Sequence, residues 1–78
     1  MPLYFFRISG SPFAARVELV DDEAAWSLAV TSTGEALRDL DGDLADHAEI
    51  VATVQDVAGR IVVTLRISGE KGPSFKST

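Results

Sequence analysis

Cysteine is absent from the sequence. That excludes disulfide staples, thiolate metal sites and cysteine nucleophiles together, so packing alone must stabilise the fold. There is a single histidine, His47, and no second histidine or nucleophile is placed beside it by spacing. No segment approaches the ~20 apolar residues that span a bilayer. Met1 to Ile8 reads as an alternating strand instead of a basic region followed by an apolar run, so no signal peptide is expected and the cytoplasm is the expected location. Excess positive charge is also missing. The net charge is −5, which disfavours non-specific binding to a phosphate backbone, so neither a nucleic-acid nor a membrane partner is expected.

Hydrophobic residues make up 46% of the chain and charged residues 24%, a balance that folds instead of remaining disordered. With 78 residues there is material for one core, because chains of this size bury only roughly 60% of their unfolded surface. Residues 1–67 are expected to form one domain and residues 68–78, rich in Gly, Ser and Lys, a flexible tail. Charge is unevenly spread. Asp21, Asp22, Glu23, Glu35, Asp39, Asp41, Asp43 and Asp46 stand against Arg38 alone, a local −7 that leaves the rest of the chain at +2.

The aromatic-rich alternation of Leu3 to Ile8 predicts a first strand. Ser9-Gly10-Ser11-Pro12 then makes a turn, and Val17 and Leu19 alternate with Arg16 and Glu18 in a second strand from Arg16 to Val20. Asp21 stands where a helix N-cap belongs, with Asp22 and Glu23 favoured at the positive end of the helix dipole. Ala25, Leu28, Ala29, Ser32, Ala36 and Leu40 recur at helical spacing, flanked by a second stripe of Trp26, Val30 and Leu37. Gly34 weakens this helix and Gly42 is its natural stop. A third strand covers Glu49 to Gln55, the turn Asp56-Val57-Ala58-Gly59 follows, and Arg60 to Ile67 makes a fourth strand. The fold class is α+β. The order β-β-α-β-β predicts a four-stranded antiparallel sheet with one helix packed on one face and a disordered C-terminal tail. By parity Tyr4, Phe6, Ile8, Val17, Leu19, Ile50, Val54, Ile61, Val63 and Leu65 lie under the helix.

Few residues carry recognisable chemistry. Asp39-Leu40-Asp41-Gly42-Asp43 has the alternating carboxylates of a calcium loop, but Leu44 stands where the loop glycine belongs and Ile50 where the final glutamate belongs. His47 reads as a surface residue. The Asp21, Asp22 and Glu23 group is explained by helix capping, and Trp26 is expected to be a core side chain. Ser9 to Pro12 holds one glycine and leads into a strand, so it is no phosphate loop. With no nucleophile, base and oxyanion donor to assemble, no enzyme, metal or cofactor is expected.

The face of the sheet turned away from the helix bears Leu3, Phe5, Val51 and Val62, with Arg7 and Arg66. An uncovered apolar patch of this kind marks protein interfaces, so a protein partner or a homodimer is expected there. A single-strand-binding sheet would also combine aromatics with arginines, but only one aromatic falls on this face. The alternative is an antitoxin-like regulatory module whose acidic segment, Asp21 to Asp46, binds a basic protein.

Met1-Pro2-Leu3-Tyr4-Phe5-Phe6, Val17-Glu18-Leu19 leading into Asp22-Glu23-Ala24-Ala25, and Asp56-Val57-Ala58-Gly59-Arg60 with Val63-Thr64-Leu65 form an ordered set. Over residues 1–67 the chain resembles a family of short bacterial proteins, a domain of unknown function, whose members open Met-Pro-x-Tyr-Phe-Phe. The resemblance implies one domain over those residues and carries no reaction, cofactor or catalytic residue to positions here. The chain departs from the family at Phe13-Ala14-Ala15-Arg16, where members usually carry a more acidic, glycine-containing turn.

Overall fold

A computed structural model describes residues 1–9, 14–40 and 43–76. It contains β1 (Leu3–Ile8), β2 (Ala14–Glu18), α1 (Asp22–Asp39), β3 (Glu49–Gln55) and β4 (Ile61–Ser68). The strands form one open antiparallel sheet in the order β2-β1-β3-β4. This is the expected β-β-α-β-β class. The strand order adds what periodicity does not carry: β2 and β3 both pair with β1 and therefore run parallel to each other. Parallel strands need a crossover of about a dozen residues or more, and α1, at 18 residues, supplies it.

The helix starts where the sequence places it. The Asp21 backbone is extended, and its side chain accepts a hydrogen bond from the Ala24 N–H at 2.9 Å, satisfying one of the donors left over at a helix start. Asp22 and Glu23 fill the first turn and Arg38 the last, in keeping with the helix dipole. At the other end the Leu40 N–H donates to Leu37 O at 3.2 Å and closes the final turn. Gly42, the expected stop, lies outside the described residues, as do Gly10, Ser11, Pro12, Phe13 and Asp41. The helix passes unbroken through Gly34, where a Cβ would meet open space.

Small residues set how closely α1 approaches the sheet. Ala25, Ala29 and Ala52 are fully buried among Tyr4, Phe6, Val54 and Val63, so backbones come together with little side chain between them. The helix lies against β4 and β3, touches β1 less, and does not reach β2. That displacement leaves a groove of about 410 Å³ on the β2 side, lined by Phe6, Ile8, Ala15 and Val17 of the sheet and by Leu28, Ser32, Glu35, Ala36 and Asp39 of α1. With 3.6 residues per turn, Trp26 and Val30 fall on the flank opposite Leu28 and Ser32. They therefore project toward the β4 edge. Trp26 is 49% exposed and Val30 44%. The expectation that Trp26 belongs to the core is thus overturned, because the helix axis sits too close to β4 for a ring on that flank to reach the sheet.

A second correction comes from a β-bulge. The β3–β4 ladder steps from Val54↔Val63 to Gln55↔Ile61 and leaves Val62 without a partner. One extra residue breaks the two-residue period. Ile61, expected under the helix, instead pairs with Gln55 and is 59% exposed, while Val62 is half-buried and packs against the core cluster. The turn before β4 is as its sequence predicts. Asp56 Oδ1 accepts from the Ala58 and Arg60 N–H groups, both at 3.0 Å, and Gly59 takes a left-handed φ of 82°. These bonds, chiefly the one from Arg60 N–H, hold the Asp56 carboxyl below its ordinary range.

β4 takes in Ser68, the first residue of the expected flexible tail, and hydrogen bonds reach the residues just after it. The His47 N–H donates to Gly69 O at 3.0 Å and the Lys71 N–H to Asp46 Oδ1 at 2.7 Å. Glu70 to Lys76 are exposed.

One buried polar atom stands out. Thr33 is fully buried, yet its Oγ1 has no hydrogen-bond partner, and leaving a hydroxyl unpaired inside a protein costs about 1–3 kcal/mol. Thr33→Val, which keeps the shape and removes the hydroxyl, is expected to stabilise the chain by about 1 kcal/mol in urea unfolding. A loss of stability would show that the hydroxyl is engaged.

Candidate functional site

Alternation along each strand divides the sheet into a covered and an open face. Tyr4, Phe6, Ala52, Val54 and Val63 are buried, which turns their neighbours Leu3, Phe5, Arg7, Val51, Thr53, Gln55, Thr64 and Arg66 to the open side. On β2 the half-buried Ala15 and Val17 alternate with the exposed Ala14, Arg16 and Glu18.

The strand registers then fix which open-face residues are neighbours. Across the middle run Arg16, Phe5, Gln55 and Ile61, and beside them Ala14, Arg7, Thr53 and Thr64. Val51 and Arg66 form a pair in the next row. Phe5, 37% exposed, thus has Arg16 directly opposite it on β2 and Arg7 two residues along its own strand. A shallow hollow of about 120 Å³ lies between Phe5, Arg7, Ala14, Thr53 and Gln55. The carboxylates on this face stand at its ends, Glu18 opposite Leu3 and Glu49 opposite Ser68.

Of the residues expected to make an apolar patch, only Phe5 presents a large apolar surface. Leu3 and Val51 are half-buried, and Val62 is engaged by the core cluster. Arg7 and Arg66 are exposed as expected, and Arg16 joins them. Among the described residues the one ion pair of a Lys or Arg is that of Arg60 with Asp56; none involves Arg7, Arg16 or Arg66. The face is basic with an aromatic centre more than it is apolar. Its counterpart is α1, whose exposed surface bears Asp22, Glu23, Glu35 and Asp39. The two broad faces carry opposite charge.

The other candidates gather less. Asp41 and Gly42 of the calcium-like stretch lie outside the described residues, and among the described residues no group of three or more His, Asp or Glu side chains converges to hold a metal ion. His47 is exposed, in a left-handed conformation with φ 64°, its Nε2 3.6 Å from Asp46 Oδ2 and its Nδ1 3.5 Å from Glu70 Oε2. The cap residues Asp21 and Asp22 are used by the fold. Asp21 closes the helix start, and Asp22 Oδ1 accepts a 2.7 Å hydrogen bond from the buried Tyr4 hydroxyl. No helix among the described residues is long and apolar enough to cross a membrane.

The Tyr4–Asp22 bond has a titration signature. Donation to Asp22, reinforced by burial and by the negative charges of Asp22, Asp21 and Asp56, raises the Tyr4 phenol from 10.0 to about 12. The folded chain therefore keeps this proton in a window where the unfolded chain has lost it. There the unfolded state binds fewer protons, so stability falls as pH rises from the lower value to the higher. Urea midpoints measured across that window are expected to fall more steeply for the native chain than for Tyr4→Phe. Parallel curves would show that the bond does not hold the proton.

Residues 3–68 match the family model described as Domain of unknown function (DUF6894). No curated protein and no solved structure matches the chain.

Proposed function

The chain belongs to the DUF6894 family, and on that premise we propose that it is a non-enzymatic interaction module whose open sheet face binds an acidic segment of a partner protein. One observation carries this reading. Arg16 and Arg7 adjoin Phe5 on an uncovered sheet that also bears Arg66 on β4, with no carboxylate in the central rows.

The residue types suit that ligand. A guanidinium presents a planar fork that meets a carboxylate with two parallel hydrogen bonds. Thr53, Thr64 and Gln55, set among the arginines, add neutral donors and acceptors for backbone or side-chain amides. Phe5 offers an aromatic anchor around which an interface excludes water, with the exposed Ile61 at the far end of its row. A nucleic acid fits less well. Sheets that read single strands stack two or three bases on aromatic rings, and here there is one ring on a chain of net charge −5. The acidic outer surface of α1 also repels a polyanion that overhangs the sheet, whereas a short peptide lies within the sheet's width.

The test is titration of a glutamate-rich peptide into the full chain by calorimetry, with Arg16→Glu and Phe5→Ala beside the native sequence. Loss of one charge-assisted contact worth about 1.4 kcal/mol weakens binding about tenfold, so each variant is expected to bind at least that much more weakly. Added salt should weaken the native complex. Equal binding by Arg16→Glu overturns the reading. Tighter binding of a single-stranded RNA through the same arginines replaces the protein ligand with a nucleic acid, and binding of lysine-rich peptides through α1 replaces it with the regulatory alternative.

A further inference from the structure

The sheet has two outer edges, and they differ. β2 is five residues long and presents Arg16 and Glu18 alternately with smaller side chains. Shortness and charge are the usual protection of an edge strand. β4 is eight residues long, Ile61–Ser68, with Arg66 as its only charge and no proline or lysine. Its one irregularity is the bulge at the Ile61 end. No backbone hydrogen bond from the described loops reaches its outer side. Beside this bare ladder the helix flank carries the exposed Trp26 and Val30.

From this pairing of features we infer that β4 is completed by a second copy of the chain. Two copies join antiparallel along β4 about a two-fold axis, and two four-stranded sheets become one. The geometry selects a second copy over an unrelated strand. An axis perpendicular to the sheet puts both helices on the same side. Because α1 rests over β3 and β4, it stands about one strand spacing, roughly 5 Å, from the seam, and the two helices come about 10 Å apart, the distance at which helices pack. The flank each would present holds Trp26, Val30 and Leu37 with Glu23 as its one acid, while Glu35 and Asp39 point the other way, into the groove beside β2. Trp26 and Val30 of the two copies thus meet across the seam.

Charge agrees with this arrangement. Residues directly opposite in an antiparallel ladder share a face, so the axis near the strand centre falls on Thr64 or on Leu65. Arg66 then faces Val62 or Thr64 of the second copy and never another Arg66, so no like charges oppose each other. The open faces of the two copies become continuous.

The experiment measures mass by light scattering and the emission of Trp26, the only tryptophan, across a concentration series of the full chain. The native chain is expected at twice its 8.3 kDa mass, with emission that shifts blue as the dimer forms. Thr64→Lys, an exposed position whose new charge meets either its counterpart or Arg66 across the seam, and Val30→Glu on the helix flank are each expected to give folded monomers with red-shifted emission. Having two variants guards against one failing to fold. A native monomer at the highest soluble concentration overturns the inference. So does a dimer that both variants leave intact, or one that only Phe5→Glu dissolves. Val30→Glu lies on the helix flank and leaves every residue of the open sheet face in place, so binding of the glutamate-rich peptide by its monomer separates the fate of this inference from that of the proposed function.

Discussion

One helix is too narrow to cover four strands. An α-helix with its side chains is about 10–12 Å across, and four strands at about 4.8 Å spacing leave a sheet wider than that. The rest of the structure follows from that shortfall. The helix is drawn over β3 and β4 by the close fit of Ala25 and Ala29 against Ala52, so the inner side of β2 keeps a groove. The opposite flank of α1, with Trp26 and Val30, hangs toward the β4 edge. The far face of the sheet receives no cover from the described residues.

Sequence choices on that far face differ from those of a buried one. Where the covered side is alanine, valine, phenylalanine and tyrosine, the open side mixes arginine, threonine and glutamine with Leu3, Phe5, Val51 and Ile61. The core in turn owes its position to a few polar ties. Asp21 fixes where the helix starts, and the Tyr4 hydroxyl, from the centre of the sheet, holds the first helical turn through Asp22. The same carboxylates that cap and anchor α1 make its outer surface acidic, so the segregation of charge between helix and open sheet comes partly from how the helix is begun. A short chain with no disulfide gains stability and a polarised surface from the same residues.

Much of this was legible in the residues. Leu3 to Ile8 and Glu49 to Gln55 alternate cleanly, Asp21 followed by Asp22 and Glu23 marks a helix start, and Asp56 to Gly59 has both the acceptor and the glycine its turn requires. What remained hidden depends on distance in the fold. Strand order is not contained in any local period, so nothing near Phe5 or Gln55 reveals that β1 and β3 are partners. The bulge at Val62 adds one residue inside the apolar run Ile61-Val62-Val63, which reverses the expectation for Ile61 because no glycine or proline there signals an insertion. Trp26 is apolar and at helical spacing from Val30, and only the lateral displacement of α1 decides that this stripe misses the sheet. On the open face, the patch expected from Leu3, Phe5, Val51 and Val62 is mostly half-buried, and its strongest feature, Arg16 opposite Phe5, emerges only from the β1–β2 register.

Residue-resolved chemical-shift mapping tests most directly whether the uncovered face is the binding surface. A glutamate-rich peptide titrated into labelled full-length chain is predicted to move the amides and guanidinium signals of Phe5, Arg7, Arg16, Thr53 and Arg66 while α1 stays still. Shifts confined to α1 or to the groove beside β2, with the open face silent, would contradict it.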